Sequence, residues 1–462
     1  MPPPSRLRPL LYLTTASASG LAAYHLTPSR RPYALDASTF QPWTLLAKHP
    51  LSATNGVLTL SPPSSSTTIR PQGSKVPAAP STSRPGASTD GDRAEKLVPA
   101  RTPYDDLYKS GTWSVEAKHP QLMVSREYTP LPPYPPMVPA STSAAEQEEE
   151  VETLDLLIRK DGETSRFLHS VPSAQEVQDG RRGGGLGAGA GKVELRGPHV
   201  SLHVPEDTVV EEVLFLAGGT GVAPALQMAW GGVLRACERS AGTMTGVGGS
   251  GGIGTHMTLL WASRGREDCE GGETDGGLRE RKGRWPWSRG TLGSSSTASD
   301  SITEDKASIS GDTTVSRPES RIVAHIRALQ SASTSFSPST PFTAAATSSD
   351  PKLEVAYFVD AESSFITPAY LRKVLQRSSS RTVSTNTPAS TSTSSSSSSQ
   401  LDQSGGGLGM KLLIVSGPPG FVAHFAGEKI WADGVEQQGP LGGVLGELRR
   451  EGLLKGWRVW KL

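Results

Sequence analysis

The sequence predicts two unlike domains in tandem, an antiparallel β-barrel followed by an α/β domain built on a parallel sheet, with long disordered inserts. Three observations predict it. Short strand-like runs separated by turns fill the first half of the chain. Buried-strand runs alternate with helical patterns in the second half. Two glycine-rich turns, at 218–221 and 417–420, each follow such a run directly.

The chain has 462 residues, enough for two ordinary domains plus extra sequence. Hydrophobic residues make up 35%, low for a chain folded throughout, and Gly, Pro and Ser are abundant, so part of the length is expected to be disordered. The 46 Lys and Arg nearly cancel the 45 Asp and Glu, and a net charge of +1 gives no whole-chain argument for a nucleic-acid partner. Cys237 and Cys269 show no metal-ligand spacing and build no disulfide framework, so no metal is expected. Cys269 reads as a free thiol near a loop.

The start of the chain is informative. No Asp or Glu occurs before Asp36, whereas Arg6, Arg8, Arg30 and Arg31 do. An Arg-bearing, Ser-rich, acid-free start is similar to a mitochondrial presequence. Between Arg8 and Arg30 runs an uncharged stretch, Pro9 to Ser29, close to the roughly 20 residues that span a bilayer. Its Thr, Ser and Ala make insertion marginal. Residues 1–37 are thus expected to be a targeting segment, either a membrane anchor, a cleaved presequence or a disordered end.

Residues 38–207 carry the barrel signals. Phe40 to Leu60 has strand-like apolar spacing, clearest at Val57–Leu60. Residues 61–100, rich in Ser, Pro and Thr, are expected as a disordered insert. Order resumes near Trp113, and Val115 to Val124 reads as one strand. Leu154–Lys160 and Lys192–Leu195 are further strands.

Residues 208–462 change character. Val213–Ala217, Thr258–Ala262, Leu353–Phe358 and Met410–Val415 read as buried strands. Ala223–Ala229 is a helical pattern with Pro224 near its start, where a missing N–H costs least. Inserts at about 240–254, 270–350 and 377–409 are Gly-, Ser- and Thr-rich and are expected to be disordered surface loops, because closure entropy grows slowly with length.

Four motifs carry chemistry. In Ser125-Arg126-Glu127-Tyr128-Thr129-Pro130, alternation puts Arg126 and Tyr128 on one strand face and Thr129 on the other. A dinucleotide needs such a permanent cation for its pyrophosphate, an aromatic surface and a small hydroxyl; alone, the run also fits a Pro-rich turn after an edge strand. Gly162, Thr164 and Ser165 open an apolar helical pattern and read as a capped helix start, whose free N–H groups and positive dipole suit an anion. His169 is a helix-face histidine. Gly218-Gly219-Thr220-Gly221, between strand and helix, lets backbone approach a pyrophosphate. Its spacing is neither that of the common dinucleotide fingerprint nor that of a phosphate loop. Ser416-Gly417-Pro418-Pro419-Gly420 repeats the strand–turn–helix arrangement. Each turn by itself is a tight loop; together they indicate a nucleotide site at the C-terminal ends of parallel strands.

The order Arg-x-Tyr-Thr-Pro, Gly-x-x-Ser, Gly-Gly-Thr-Gly-x-x-Pro and Ser-Gly-Pro-Pro resembles the ferredoxin–NADP reductase superfamily, especially its NADH–cytochrome reductases. Trp113–Lys118, Leu131-Pro132-Pro133 and Gln438–Leu445 look like the fungal branch of mitochondrial cytochrome c import and maturation flavoproteins. The resemblance covers roughly 38–60, 104–230, 256–269, 353–376 and 410–462. It implies an FAD-dependent NAD(P)H reductase that passes electrons to a haem acceptor. Its partners would be haem or cytochrome c with its maturation machinery, on the mitochondrial inner membrane facing the intermembrane space. It implies that Arg126 binds the FAD pyrophosphate, that Tyr128 lies along the ribityl and ring, and that Thr129, followed by Pro130, bonds the flavin near its reactive nitrogen. Gly162, Thr164 and Ser165 would hold the pyrophosphate. Gly218, Gly219, Thr220, Gly221 and Pro224 would position NADH or NADPH, with Thr220 nearest the hydride path and Gly417, Pro418 and Pro419 closing the other side.

One departure matters. Many relatives place Cys where this chain has Ser416, beside the nicotinamide, and a hydroxyl is less polarizable and packs differently, so hydride transfer is expected to be slow. This leaves a rival reading open, a membrane-tethered maturation factor with little or no turnover. Trp460 reads either as a flavin shield or as a core strand residue. NADH is the expected donor by resemblance, although Arg264 and Arg266 follow a strand where a 2′-phosphate would be received.

Overall fold

The computed structural model describes residues 35–63, 97–139, 153–180, 190–205, 208, 210–240, 256–272, 319–335, 352–383 and 410–462. The expectations for the N-terminal segment lie outside these residues.

The first half forms β1 (Gln41–Pro50), β2 (Asn55–Ser61), β3 (Leu97–Pro99), α1 (Asp105–Ser110), β4 (Gly111–His119), β5 (Val124–Tyr128), β6 (Pro130–Leu131), β7 (Met137–Pro139), β8 (Leu154–Arg159), α2 (Glu163–Ser170), α3 (Ala174–Gln178) and β9 (Lys192–His203). Seven of these strands make one sheet in the order β5-β4-β9-β1-β2-β8-β6, with antiparallel pairings throughout. Its two edge strands, β5 and β6, are consecutive in the chain, so the sheet curls into the expected antiparallel barrel. Alternation sets the inner face: Trp43 and Leu45, Trp113, Val115 and Ala117, Leu154, Leu156 and Ile158, and Val193 and Leu195 are all buried.

Val115–Val124, expected as one strand, is instead a hairpin. Pro120 follows β4 and cannot donate to a ladder. Met123 takes φ +53° and its N–H bonds the His119 carbonyl at 2.9 Å, turning the chain back into β5.

The second half forms β10 (Val210–Gly218), a 3-10 turn (Gly219–Gly221), α4 (Val222–Ser240), β11 (His256–Ser263), α5 (Arg321–Ser335), β12 (Lys352–Val359), α6 (Pro368–Val383), β13 (Met410–Ser416), α7 (Pro419–Ala426), a hairpin of β14 (Ile430–Ala432) and β15 (Val435–Gln437), α8 (Gly443–Arg450) and β16 (Trp457–Lys461). Its five-stranded sheet runs β12-β11-β10-β13-β16, every pair parallel. Chain order therefore reverses between β10 and β13, the switch point outside which open sheets bind ligands. One face of the sheet packs Leu216, Leu260, Leu413 and Val415 against Leu371, Leu375, Phe425 and Leu445.

Three of the expected inserts need correction. The segment 270–350 contains α5, whose Ile322, Ile326 and Leu329 recur at i, i+4 and i+7 and are buried. Composition alone hid this helix, because Ser and Thr surround it. Likewise α6 continues through Val383, past the expected insert start at 377, and β3 falls inside the expected insert 61–100.

Residues 35–462 form one compact unit, so barrel and sheet domain are in contact. Helix α4 does most of the joining. Gly231 lets it approach the Tyr108 carbonyl at the end of α1, where any Cβ would collide, and Lys109 pairs with Glu238 at 2.8 Å. On the other flank Arg321 donates to Asp155 at 2.6 Å, and Asn55 Nδ2 donates to Asp268 at 2.7 Å. Among the described residues no helix is long and apolar enough to cross a membrane.

Candidate dinucleotide site

The two glycine turns meet. β10 and β13 are neighbours in a register that sets Ala217 opposite Ser416, so both turns leave the sheet at the same level. A Cβ on Gly218 would lie 2.8 Å from the Phe421 ring, one on Gly417 would lie 3.0 Å from Gly218, and one on Gly221 would collide with the Ser416 carbonyl. These glycines are required by contact between the turns. Gly219 differs: its φ of +54° needs glycine, yet a Cβ there would meet nothing within 4 Å. Its backbone is therefore bare on the open side, one 3-10 turn ahead of the 19-residue helix α4; the Val222 N–H closes that turn on the Gly219 carbonyl and Pro224 has none to give, while the positive end of the helix dipole lies on the same side. Thr220 is half-buried, and Pro224 is the third residue of α4. Pro418 caps α7 and Pro419 starts it. Ser416 is buried at the end of β13.

The Arg-x-Tyr-Thr-Pro run ends β5 and enters β6. Arg126 is exposed and bonds only its neighbour's carbonyl, Ser125, at 2.9 Å, and among the described residues no carboxylate pairs with it. Tyr128 is half-buried; burial pushes its hydroxyl up to about 12, partly opposed by the Arg126 charge, as fits two side chains on one strand face. Thr129 is half-buried between the two strands and Pro130 is buried. Helix α2 packs on β4 and β5, with Phe167 against His119 at 4.8 Å between ring centres.

The start of α2 departs from expectation. Gly162 is its N-cap at φ +107°, with open space where a Cβ would be, and no side chain caps the helix. Thr164 and Ser165 are buried. The Ser165 hydroxyl donates to the Gly162 carbonyl at 3.0 Å and accepts from the Asp161 N–H at 2.9 Å, so it shapes the turn. What this end offers an anion is backbone N–H. His169 is structural: its Nε2 meets the Ile158 carbonyl at 3.1 Å, and burial lowers its basicity.

Sequence reasoning missed two residues that tie these parts together. Gln227 is fully buried; its Nε2 donates to the Pro130 carbonyl at 2.8 Å and its Oε1 accepts from the Trp113 N–H at 2.9 Å. A lone amide inside the apolar run Ala225–Ala229 was the available signal. Trp261 donates from Nε1 to the Gly219 carbonyl at 3.0 Å. Of the two arginines after β11, Arg264 is exposed, whereas Arg266 holds Glu362 in a two-pronged pair and donates to the Gly272 carbonyl at 2.8 Å. Cys269 is a buried thiol beside the Ser263 hydroxyl, and burial pushes its pKa up, against any redox use. Trp460 is a half-buried strand residue paired with Ile414. Among the described residues no group of side chains could hold a metal ion.

No family model and no curated relative matches the chain. Solved structures give faint likenesses. The cytochrome b5 reductase domain of Ulva prolifera nitrate reductase aligns over 94% of this chain and 100% of its own, at 11% identity and a TM-score of 0.37. The CS-b5R domains of human Ncb5or, in the NAD+ form, align over 83% of this chain and 63% of their own, at 11% identity and 0.34. Full-length CYP116B46 from Tepidiphilus thermophilus aligns over 94% of this chain, which spans only 30% of that protein, at 13% identity and 0.36. The fold assignment stands on the strand order itself.

Proposed function

We propose that this chain is an FAD-dependent NAD(P)H oxidoreductase. One observation carries the reading. The two glycine turns at the switch point pack directly on each other, and α4, which starts from the first of them, is bonded through Gln227 to the strand end that carries Arg126, Tyr128, Thr129 and Pro130. A dinucleotide cradle and a cation–aromatic–hydroxyl strand thereby belong to one body.

The residues present fit the two cofactors. Among the described residues no carboxylate pairs with Arg126, and backbone is bare at Gly162 and Gly219. Arg126 would pair with the FAD pyrophosphate, assisted by N–H groups at the start of α2. Tyr128 would supply an apolar ring face, and Thr129 a hydroxyl at the ring. Gly219, Thr220, Gly221 and Pro224 would position the nicotinamide dinucleotide, while Gly417, Pro418 and Pro419 close the opposite side and Ser416 lies beneath. FAD, when bound, supplies the exchange between hydride and single-electron chemistry; the protein supplies placement and electrostatics.

The finer reading names a haem acceptor, haem or cytochrome c, on the mitochondrial inner membrane facing the intermembrane space. It is supported by the acid-free, Arg-bearing start, by the uncharged stretch Pro9–Ser29 and by the resemblance of the motifs. Fractionation tests it: an anchored protein resists carbonate extraction and is digested once the outer membrane is ruptured. Protection in those mitoplasts would place it in the matrix. For the oxidoreductase reading the test is a flavin spectrum bleached by NADH. A flavin that NADH leaves unbleached would favour the rival, a maturation factor without turnover, for which Ser416 is the specific indication.

A further inference from the structure

The geometry points to Trp261 as a positioning residue for the nicotinamide dinucleotide, acting through the peptide between Gly219 and Thr220. The inference rests on the proposed site and assigns it a residue outside its motifs.

Trp261 lies in β11 directly opposite Ala217, beside the strand that leads into the glycine turn. It is 2% exposed, and its ring packs against Tyr357 of β12 with centres 5.9 Å apart. The indole is thus held between strands, and its one polar atom, Nε1, donates to the Gly219 carbonyl at 3.0 Å. That carbonyl shares a peptide plane with the Thr220 N–H. In a trans peptide the two point in opposite directions. Drawing the carbonyl toward Trp261 therefore turns the Thr220 N–H away from it.

The pin matters because of where it acts. Gly219 sits at φ +54° with no neighbour within 4 Å of a Cβ position, so it has no side chain of its own and no contact on that side to hold this peptide. The Val222 N–H also reaches the Gly219 carbonyl, but only as part of the turn it closes. Trp261 is the anchor outside the turn. Gly219, Thr220 and Trp261 line a small cleft together with Asn55, Leu157 and Asp268, so the pinned peptide stands where barrel and sheet domain face each other.

Trp261→Phe in the full-length chain separates the hydrogen bond from the ring. Calorimetric titration with NAD+ reads dinucleotide binding without turnover, and anaerobic bleaching at saturating NADH reads placement. The expected result is unchanged flavin content, a modestly lowered melting temperature from the smaller buried ring, NAD+ affinity weakened roughly three- to tenfold, as for one neutral hydrogen bond, and slower bleaching. Replacing Trp261 by benzothienylalanine, which keeps the bicyclic shape and substitutes sulfur for the N–H, gives the same result if Phe disturbs folding. Unchanged affinity and bleaching in either variant overturns the inference, as does a loss confined to melting temperature. A wild-type chain that binds NAD+ but no flavin removes the oxidoreductase reading while the NAD+ titration still decides the role of Trp261.

Discussion

Gln227 and Pro130 are joined across the two domains: the buried amide Nε2 of α4 donates to the Pro130 carbonyl at 2.8 Å, and the same side chain accepts from the Trp113 N–H at 2.9 Å. Gln227→Met keeps the volume and removes both bonds. Two buried backbone groups would be left unpaired, at about 1–3 kcal/mol each. Denaturant unfolding should show a loss of roughly 2–5 kcal/mol, with weaker flavin retention because Pro130 follows Thr129. A loss under about 0.5 kcal/mol would show that the domains are joined elsewhere.

Arg126→Ala should weaken FAD retention without destabilising the fold, since the side chain is exposed and, among the described residues, bonds only the Ser125 carbonyl. A charge-assisted phosphate contact is worth roughly 1.5–3 kcal/mol, about ten- to 150-fold in affinity. Equilibrium dialysis of FAD against both proteins measures it. Equal affinity would remove Arg126 from the site.

The insert after β11 divides into two parts with different consequences. Gly271 and Glu319 are in contact, and the Ser320 N–H bonds the Glu270 carbonyl at 2.9 Å, so the chain leaves and re-enters the fold at one place. Joining Gly272 to Glu319 should preserve soluble protein and flavin content. Removing 319–335 as well should not, because Ile322, Val323, Ile326 and Leu329 are buried and Arg321 is paired with Asp155. Expression of both deletions side by side, scored for soluble yellow protein, checks this.

Much of the architecture was legible because backbone needs are written in residue type. Strands β10, β11, β12 and β13 each carry a run of apolar residues, and glycines mark where β10 and β13 turn. What was not legible depended on contacts distant in sequence. Gln227 is polar in an apolar helix, but nothing local says that it reaches Trp113 and Pro130. Ser165 looked like a helix cap; its hydroxyl instead satisfies the turn at Asp161 and Gly162. Helix α5 was lost to its Ser-rich surroundings, and Pro120 was the overlooked sign that Val115–Val124 folds back on itself.

His325 should make stability pH-dependent. Burial holds its pKa at about 3, against an ordinary 6.5, with Arg321 pushing the same way and the Tyr134 ring packed on it. Above pH 6.5 the imidazole is neutral in both folded and unfolded chains and contributes no slope. Below that, the unfolded chain binds a proton that the folded one refuses, so stability falls by about 1.4 kcal/mol per pH unit until pH nears 3. In His325→Gln that component of the slope should vanish. Identical slopes for the two proteins between about pH 6 and pH 4 would contradict a buried neutral imidazole.

NADH should be preferred to NADPH, because Arg266 already holds Glu362, so that a 2′-phosphate either displaces that carboxylate or meets the exposed Arg264 alone. Glu362→Gln should narrow the preference by up to about fivefold, the scale of a half-exposed ion pair. Stopped-flow reduction with each nucleotide measures the ratio. Faster reduction of the wild type by NADPH would refute the preference.

The absorption spectrum of the purified full-length chain after reconstitution with FAD, recorded before and after anaerobic addition of NADH, decides whether it is a flavin-dependent oxidoreductase. The expected protein is yellow, retains flavin through desalting and is bleached by NADH. A chain that holds no flavin under these conditions would contradict it.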